Sequence, residues 1–472
     1  MNVLLSSTNE VLRRSITGAL REGGHDVHLA VENSLEAAMP RPAGVEAASD
    51  HPGAAVFVDP GVTQLRQHSG HADTQAGRAV FLRAAAQSGL RRVIEVRRRR
   101  LSRQESERDA HTFPDGVLTI EVSPVYGVGD DPVTILLLMM RSLPVIPLST
   151  GTHVACPLWH RDLAETIAAA VTLSTSAPET TIDVVGPEAI TVDQLYERIA
   201  SHIGRRPLRI PVPEFLADHG ARLAEALNVT EPLATTHALF QETLEVGSCG
   251  TRMIPGLQAP ATSIDYGLRA LVAELEELTP ADGVGTLEVK QFFADMQTRL
   301  SAADVLRRFR DSFAMVMPVD VAVEPASQQT RLAAGANITM ALPGRGHVQV
   351  RVVDASDEQI VLSTVRGHVL AGIVRFRTQA AGDLVRFEVL TCDTAANPLD
   401  WIGLTLGGAR LQDANWTKVV HNVARLAGDD SVAVESVKRK LPPDEAQAVK
   451  AWLESTIEAY RTTNDRRSWT IR

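Results

Sequence analysis

The chain is short of the residues that covalent cross-links and metal sites require. Its 472 residues include three cysteines, Cys156, Cys249 and Cys392, which lie far apart and match no zinc or disulfide spacing. Such a set predicts a reducing compartment. Long apolar runs are missing as well. The best one, residues 135–140, stops at Arg141 and Pro144, well short of the roughly 20 residues that a membrane-spanning helix needs. The first residues read as a buried strand rather than a cleavable leader, so the expectation is a cytoplasmic protein with no membrane span. Internal repeats and low-complexity segments are absent. What is present is ordinary globular composition: 44% hydrophobic residues, 22% charged residues and a net charge of -10. That length predicts two or three domains, and the acidic balance argues against general nucleic-acid binding.

A second absence is more specific. The opening, Met1-Asn-Val-Leu-Leu-Ser-Ser-Thr-Asn-Glu-Val-Leu-Arg-Arg-Ser15, has the rhythm of a strand, a turn and an amphipathic helix, with a further strand from His25. A dinucleotide-binding turn of this kind uses glycines for tight turning and for close approach to pyrophosphate. Ser7, Glu10 and Arg13 stand where those glycines would fall. A carboxylate at Glu10 also opposes an anion at the helix N-terminus.

Strand-like runs follow at 27–31, 54–58, 92–96 and 117–122, with a helix pattern over 79–90. This alternation predicts an α/β doubly wound parallel sheet. Thr191 and Gln194 form a capping box for a helix with Val192, Leu195, Ile199 and Ile203 on one face, stopped by Gly204. Residues 279–285 read as a boundary. Beyond it come a strand over 287–293 and a helix capped at Ser301. Val348, Val350 and Val352 then alternate with Gln349 and Arg351, and Val385, Phe387 and Val389 with Arg386 and Glu388. Period two predicts antiparallel strands with one buried and one wet face. A helix from about Gln412 carries Trp416, Val419, Val420, Val423 and Leu426 on one face up to Gly428, and a charged helix follows over 444–460.

Several stretches of the first 275 residues, taken in order, resemble the extended short-chain dehydrogenase/reductase family, in the atypical epimerase-like branch that includes the complex I accessory subunit. They are Arg21-Glu-Gly-Gly-His-Asp-Val27, residues 81–96, Ser123-Pro-Val-Tyr-Gly-Val-Gly-Asp130 and Pro157-Leu-Trp-His-Arg-Asp-Leu-Ala164. Val184-Val-Gly-Pro-Glu-Ala-Ile-Thr-Val192 and Pro211-Val-Pro213 continue the set. The resemblance implies a nicotinamide dinucleotide and a Ser/Tyr/Lys catalytic set. Here Arg97–Arg100 occupies the serine's place, and none of the four tyrosines (Tyr126, Tyr196, Tyr266 and Tyr460) has a lysine four residues later. The segment from Arg100 to Val117 is too short for the helix that carries that pair. A third strand around residues 46–66 looks trimmed.

Other signals have both a functional and a structural reading. Glu32 could accept a ribose hydroxyl or be a loop carboxylate, and Asp59-Pro60 could line the crevice or start a turn. Arg91, Arg92, Arg97–Arg100 and Arg103 could hold a phosphate or form an internal salt-bridge strip. His160, Arg161 and Asp162 read as a helix cap with an ion pair, and Cys249 has no visible partner for nucleophilic work.

The later part is similar in element order to the helix-grip fold of the START-like (SRPBCC) superfamily, an α+β domain with an antiparallel sheet and C-terminal helices. The resemblance implies an apolar cavity lined by Val385, Phe387, Val389, Trp416, Val420 and Val423. His347, Arg366, His368 and Asp400 are candidates for the orienting polar groups. The expected domains are 1–280, with a small substrate-type subdomain over about 180–275, then 285–430 and a helical extension over 431–472. The expected role is a non-catalytic scaffold or binding protein for an apolar small molecule, with no resident cofactor or metal. Two alternatives stand beside it: an NAD- or NADP-dependent oxidoreductase or epimerase with a non-standard site, and a structural subunit with a protein partner or a second copy of itself.

Overall fold

The computed structural model describes residues 1–30, 53–63, 71–98, 113–129, 131–149, 154–173, 179–212, 250–319, 321–324, 332–342, 346–403, 408–440 and 443–468. The chain forms two compact units. One comprises residues 1–137, 145–199 and 208–271; the other comprises residues 138–144, 200–207 and 272–472.

The first unit is built on six parallel strands: β1 (Asn2–Ser6), β2 (Asp26–Leu29), β3 (Ala54–Val58), β4 (Arg92–Arg98), β5 (Val117–Val122) and β6 (Glu179–Val184). Their order across the sheet is β6-β5-β4-β3-β1-β2. The chain between strands forms helices α1 (Glu10–Glu22), α2 (His71–Gln87), α3 (Pro132–Ser142) and α4 (His160–Thr172). Two further helices follow, α5 (Val192–Ile203) and α6 (Ile264–Glu274).

Every residue of β3 is buried, because alternate side chains enter different cores. Ala54, Val56 and Val58 pack with Leu12, Ile16 and Leu20 of α1 and Leu163 and Ile167 of α4. Ala55 and Phe57 pack with Phe81, Leu82 and Ala85 of α2. A sheet covered on both faces is the doubly wound, Rossmann-like arrangement. Helix α2 starts at His71, ahead of the apolar pattern over 79–90.

The second unit is an eight-stranded antiparallel sheet whose first strand in sequence, β7 (Val284–Met296), lies next to one edge. Helices α7 (Ala302–Asp311) and α8 (Phe313–Val316) precede β8 (Val321–Glu324), β9 (Asn337–Leu342), β10 (Gly346–Ala355) and β11 (Gln359–Thr364). Then come β12 (Leu370–Ala381), β13 (Leu384–Ala395), α9 (Pro398–Gly403) and α10 (Ala409–Ala427). The chain ends in β14 (Glu435–Lys440) and α11 (Pro443–Ser468). The sheet order is β8-β9-β10-β11-β12-β13-β7-β14. Strand β14 pairs with β7 and has no counterpart in the apolar pattern, since Glu435-Ser-Val-Lys-Arg-Lys440 carries almost no apolar residue.

Local signals account for the helix ends. Ser301 accepts from the amide of Asp304, whose carboxylate takes the Ser301 hydroxyl in return. Gly428 stops α10 in the left-handed region at φ 95°, where a side chain is strained. One face of the sheet packs against α7 and α10 through Phe292, Val350, Phe376, Phe387, Val420 and Val423. The other meets Leu453 of α11 through Val353, Val361, Ile373 and Cys392. That second layer corrects the expectation of a wet face on β10. Gln349 and Arg351 are both buried, and Arg351 donates to the backbone carbonyls of Ala273 and Leu275 and to the Glu277 carboxylate.

At the centre of the α7–α10 face stands Phe309, with ring centroids 5.5 Å from Phe313, 4.8 Å from Phe376 and 5.1 Å from Phe387. Phe309→Ala is expected to cost about 3–5 kcal/mol through lost transfer energy and the cavity left behind. Val437→Ala on the exposed edge strand should stay within about 0.5 kcal/mol. Urea unfolding followed by circular dichroism measures both; equal effects would mean that the aromatic cluster does not hold the unit.

Candidate ligand cavity and the turn after the first strand

In the first unit the turn between β1 and α1 is closed by its own side chains. Asn9 caps the helix, its Oδ1 accepting from the amide of Leu12 at 2.9 Å, while its Nδ2 donates to the carbonyl of Val128 at 3.1 Å. Glu10 is paired with Arg13 at 2.9 Å and Arg14 at 2.8 Å. A pyrophosphate here would meet the Glu10 carboxylate and a capping side chain that already takes the amide of Leu12. The residues at Ser7, Glu10 and Arg13 therefore do not fit a dinucleotide. Glu32, Cys249, Arg99, Arg100 and Arg103 lie outside the described residues.

The remaining described first-unit candidates make contacts within the unit. Arg97 faces Glu121 at 2.9 Å, and Arg91 binds both carboxylate oxygens of Asp115. Asp59 accepts from the amide of Gly61 at 2.6 Å and closes a turn. Asp162 accepts from the amides of Ala261 and Thr262, and His160 Nδ1 lies 2.8 Å from the Ser15 hydroxyl. Tyr126 is buried against Gly267, and burial pushes its phenol pKa up. Cys156 is buried and disulfide-bonded. Cys392 is free.

The second unit holds a cavity of about 360 Å³ between the sheet and α10. Met340, Val350 and Leu362 of the sheet, and Leu411, Trp416 and Val419 of α10, give it apolar walls. Of the six residues expected to line it, Trp416 does so. Val385, Phe387, Val389, Val420 and Val423 lie in the filled core, at the end plugged by Phe309 and Phe313. The ring of Trp416 stands edge-on to Phe376 at 5.9 Å, where cavity and filled core meet. Gly372 helps to shape the wall. A Cβ there would lie 2.1 Å from the carbonyl oxygen of Cys392, so only glycine permits this approach of β12 to β13.

The polar lining is sparse. His368 and Asp400 contribute to it, whereas Arg366 is exposed and the His347 ring lies against Gly204. Asp393, missed in the sequence, is the notable addition. It continues the inward series Val385, Phe387, Val389 by period two, so the pattern pointed to it. Gln412 Nε2 donates to Asp393 Oδ2 at 3.2 Å, and Gln412 Oε1 accepts from Lys290 Nζ at 2.8 Å. Lys290 is itself buried and lies 3.3 Å from Glu288 and 3.6 Å from Asp413.

Burial raises the Asp393 pKa to about 6, and the charge of Lys290 and the bond from Gln412 only partly oppose it. The folded state thus holds this proton more tightly than the unfolded chain does. Stability falls as pH rises from about 4 to about 6, by an amount on the order of 2–3 kcal/mol. Asp393→Asn should remove this loss. Urea titrations of both proteins at several pH values would show the wild type losing stability relative to the variant across that window. A constant difference would refute the assignment.

No family model matches the chain, and no curated protein matches it. Solved structures do resemble it at low identity. Triphenylmethane reductase of Citrobacter sp., complexed with NADP(H), is 13% identical, with 57% of this chain and 100% of that chain covered and a TM-score of 0.41. A nucleoside-diphosphate-sugar epimerase of Staphylococcus aureus is 15% identical over 57% of this chain and 100% of its own, with a TM-score of 0.38. A human epimerase family protein with NADPH is 14% identical over 52% and 100%, with a TM-score of 0.34.

Proposed function

We propose that this protein is a non-catalytic binding protein whose second unit, a START-like helix-grip domain, holds an apolar small molecule. The first unit is then an epimerase-like scaffold that has given up its dinucleotide. The cavity of about 360 Å³ beside Trp416 carries this reading. Its size falls in the usual range for small-molecule sites, and its walls combine an apolar body with few polar groups. The capped turn at Asn9 and the Arg97–Glu121 pair support the loss of nucleotide chemistry.

Thermal shift with the full-length protein separates the readings. NAD(H) and NADP(H) at millimolar concentration should leave the melting temperature unchanged. N-phenylnaphthylamine, a neutral polarity-sensitive dye, should bind with enhanced fluorescence and raise it. A ligand at 100 times its Kd stabilises the native state by about 2.7 kcal/mol. Val350→Phe, which fills the cavity, should weaken dye binding at least tenfold. A shift with either cofactor would overturn the scaffold reading in favour of an oxidoreductase with a non-standard site. Failure to bind the dye, together with a stoichiometric protein in a pull-down, would favour a structural subunit.

A further inference from the structure

The geometry points to a lipophilic amine as the class of molecule that the cavity beside Trp416 takes. This rests on the cavity being a ligand site and goes on to name the ligand's polar group. Among the described residues of the lining, the charged ones are Asp393 and Asp400; no lysine or arginine is among them, and His368 is the remaining titratable group. An apolar cavity whose formal charges are all negative rejects a carboxylate headgroup and favours a cation.

The two carboxylates differ in how they are held. Asp400 is tied to its own helix start, accepting from Asn397 Nδ2 at 2.7 Å while its amide donates to Asn397 Oδ1. Asp393 is braced by Gln412, whose Oε1 accepts from the ammonium of Lys290. Lys290 does not neutralise Asp393 alone, since Glu288 and Asp413 also lie within 4 Å of it. A carboxylate has about four acceptor sites, so Asp393 retains capacity for an N–H donor arriving from the cavity. The aromatic ring of Trp416 on the same lining suits a cation as well as an apolar chain.

Isothermal titration of the full-length protein with decylamine, decanol and decanoate, all at neutral pH and below micelle formation, tests the proposal. A charge-assisted hydrogen bond predicts that the amine binds about tenfold or more tighter than the alcohol, with the carboxylate weakest. Asp393→Asn should narrow the amine–alcohol gap to within about threefold, with circular dichroism confirming the fold. Asp400→Asn serves as the second variant should that protein fail to fold. Val350→Phe should abolish binding of the amine, which separates the cavity from adventitious binding of a cation to an acidic surface. Decanol or decanoate binding as tightly as the amine would overturn the amine assignment and leave the cavity reading intact. If none of the three binds, the cavity reading itself fails.

Discussion

A charge buried under a helix has to be held, and the second unit is organised around that need. Lys290 of β7 and Asp393 of β13 enter the interface with α10, and Gln412 of the helix bonds to both. One amide side chain, donating with its nitrogen and accepting with its oxygen, thus fixes the helix in rotation and in height over two neighbouring strands. Removing Lys290 would leave Asp393 buried without its cation, whereas Lys290 keeps Glu288 and Asp413 within 4 Å when Asp393 is replaced. The helix cannot slide to fill the space beside it, so the cavity persists next to a well-packed aromatic cluster.

The same face shows why a cavity survives only at one end. Phe309 and Phe313 come from α7 and α8 and fill the space against Phe376 and Phe387. Among the described residues no phenylalanine serves the opposite end, where Met340, Leu342 and Leu362 face Leu411 and Val419. Tightly packed interiors leave few voids larger than a water molecule. A space of about 360 Å³ is therefore a feature for which some of the core's packing energy has been given up.

Much of this was legible in the sequence, and the limits have physical reasons. The parallel sheet followed from buried apolar runs, and the capping signals at Thr191 and Ser301 marked helix starts where they occur. Period two identified the inward faces of β10 and β13. It could not separate a residue that lines empty space from one that meets an aromatic ring, because both are apolar and inward. Phe387 stands in the same series as Val385 and Val389, yet its ring packs on Phe309 and belongs to the filled end. Arg351 looked solvent-facing because an isolated strand has no record of Glu277, whose carboxylate receives it from 74 residues away in the chain. Strand β14 was missed because its pairing with β7 rests on backbone hydrogen bonds rather than on apolar side chains.

In the first unit, polar pairs hold both the sheet and the β1–α1 turn. Arg97 is the register partner of Glu121 on the neighbouring strand, and their side chains form an ion pair in which Glu121 is only 17% exposed. Serine at residue 97 would remove the cation and leave a largely buried carboxylate beside a neutral hydroxyl. At the helix end, glycine at residue 10 would remove the carboxylate that pairs Arg13 and Arg14, yet Asn9 would still take the amide of Leu12. The two positions differ in consequence: Glu121 beside Arg97 is largely buried, whereas Arg14 beside Glu10 is exposed to water.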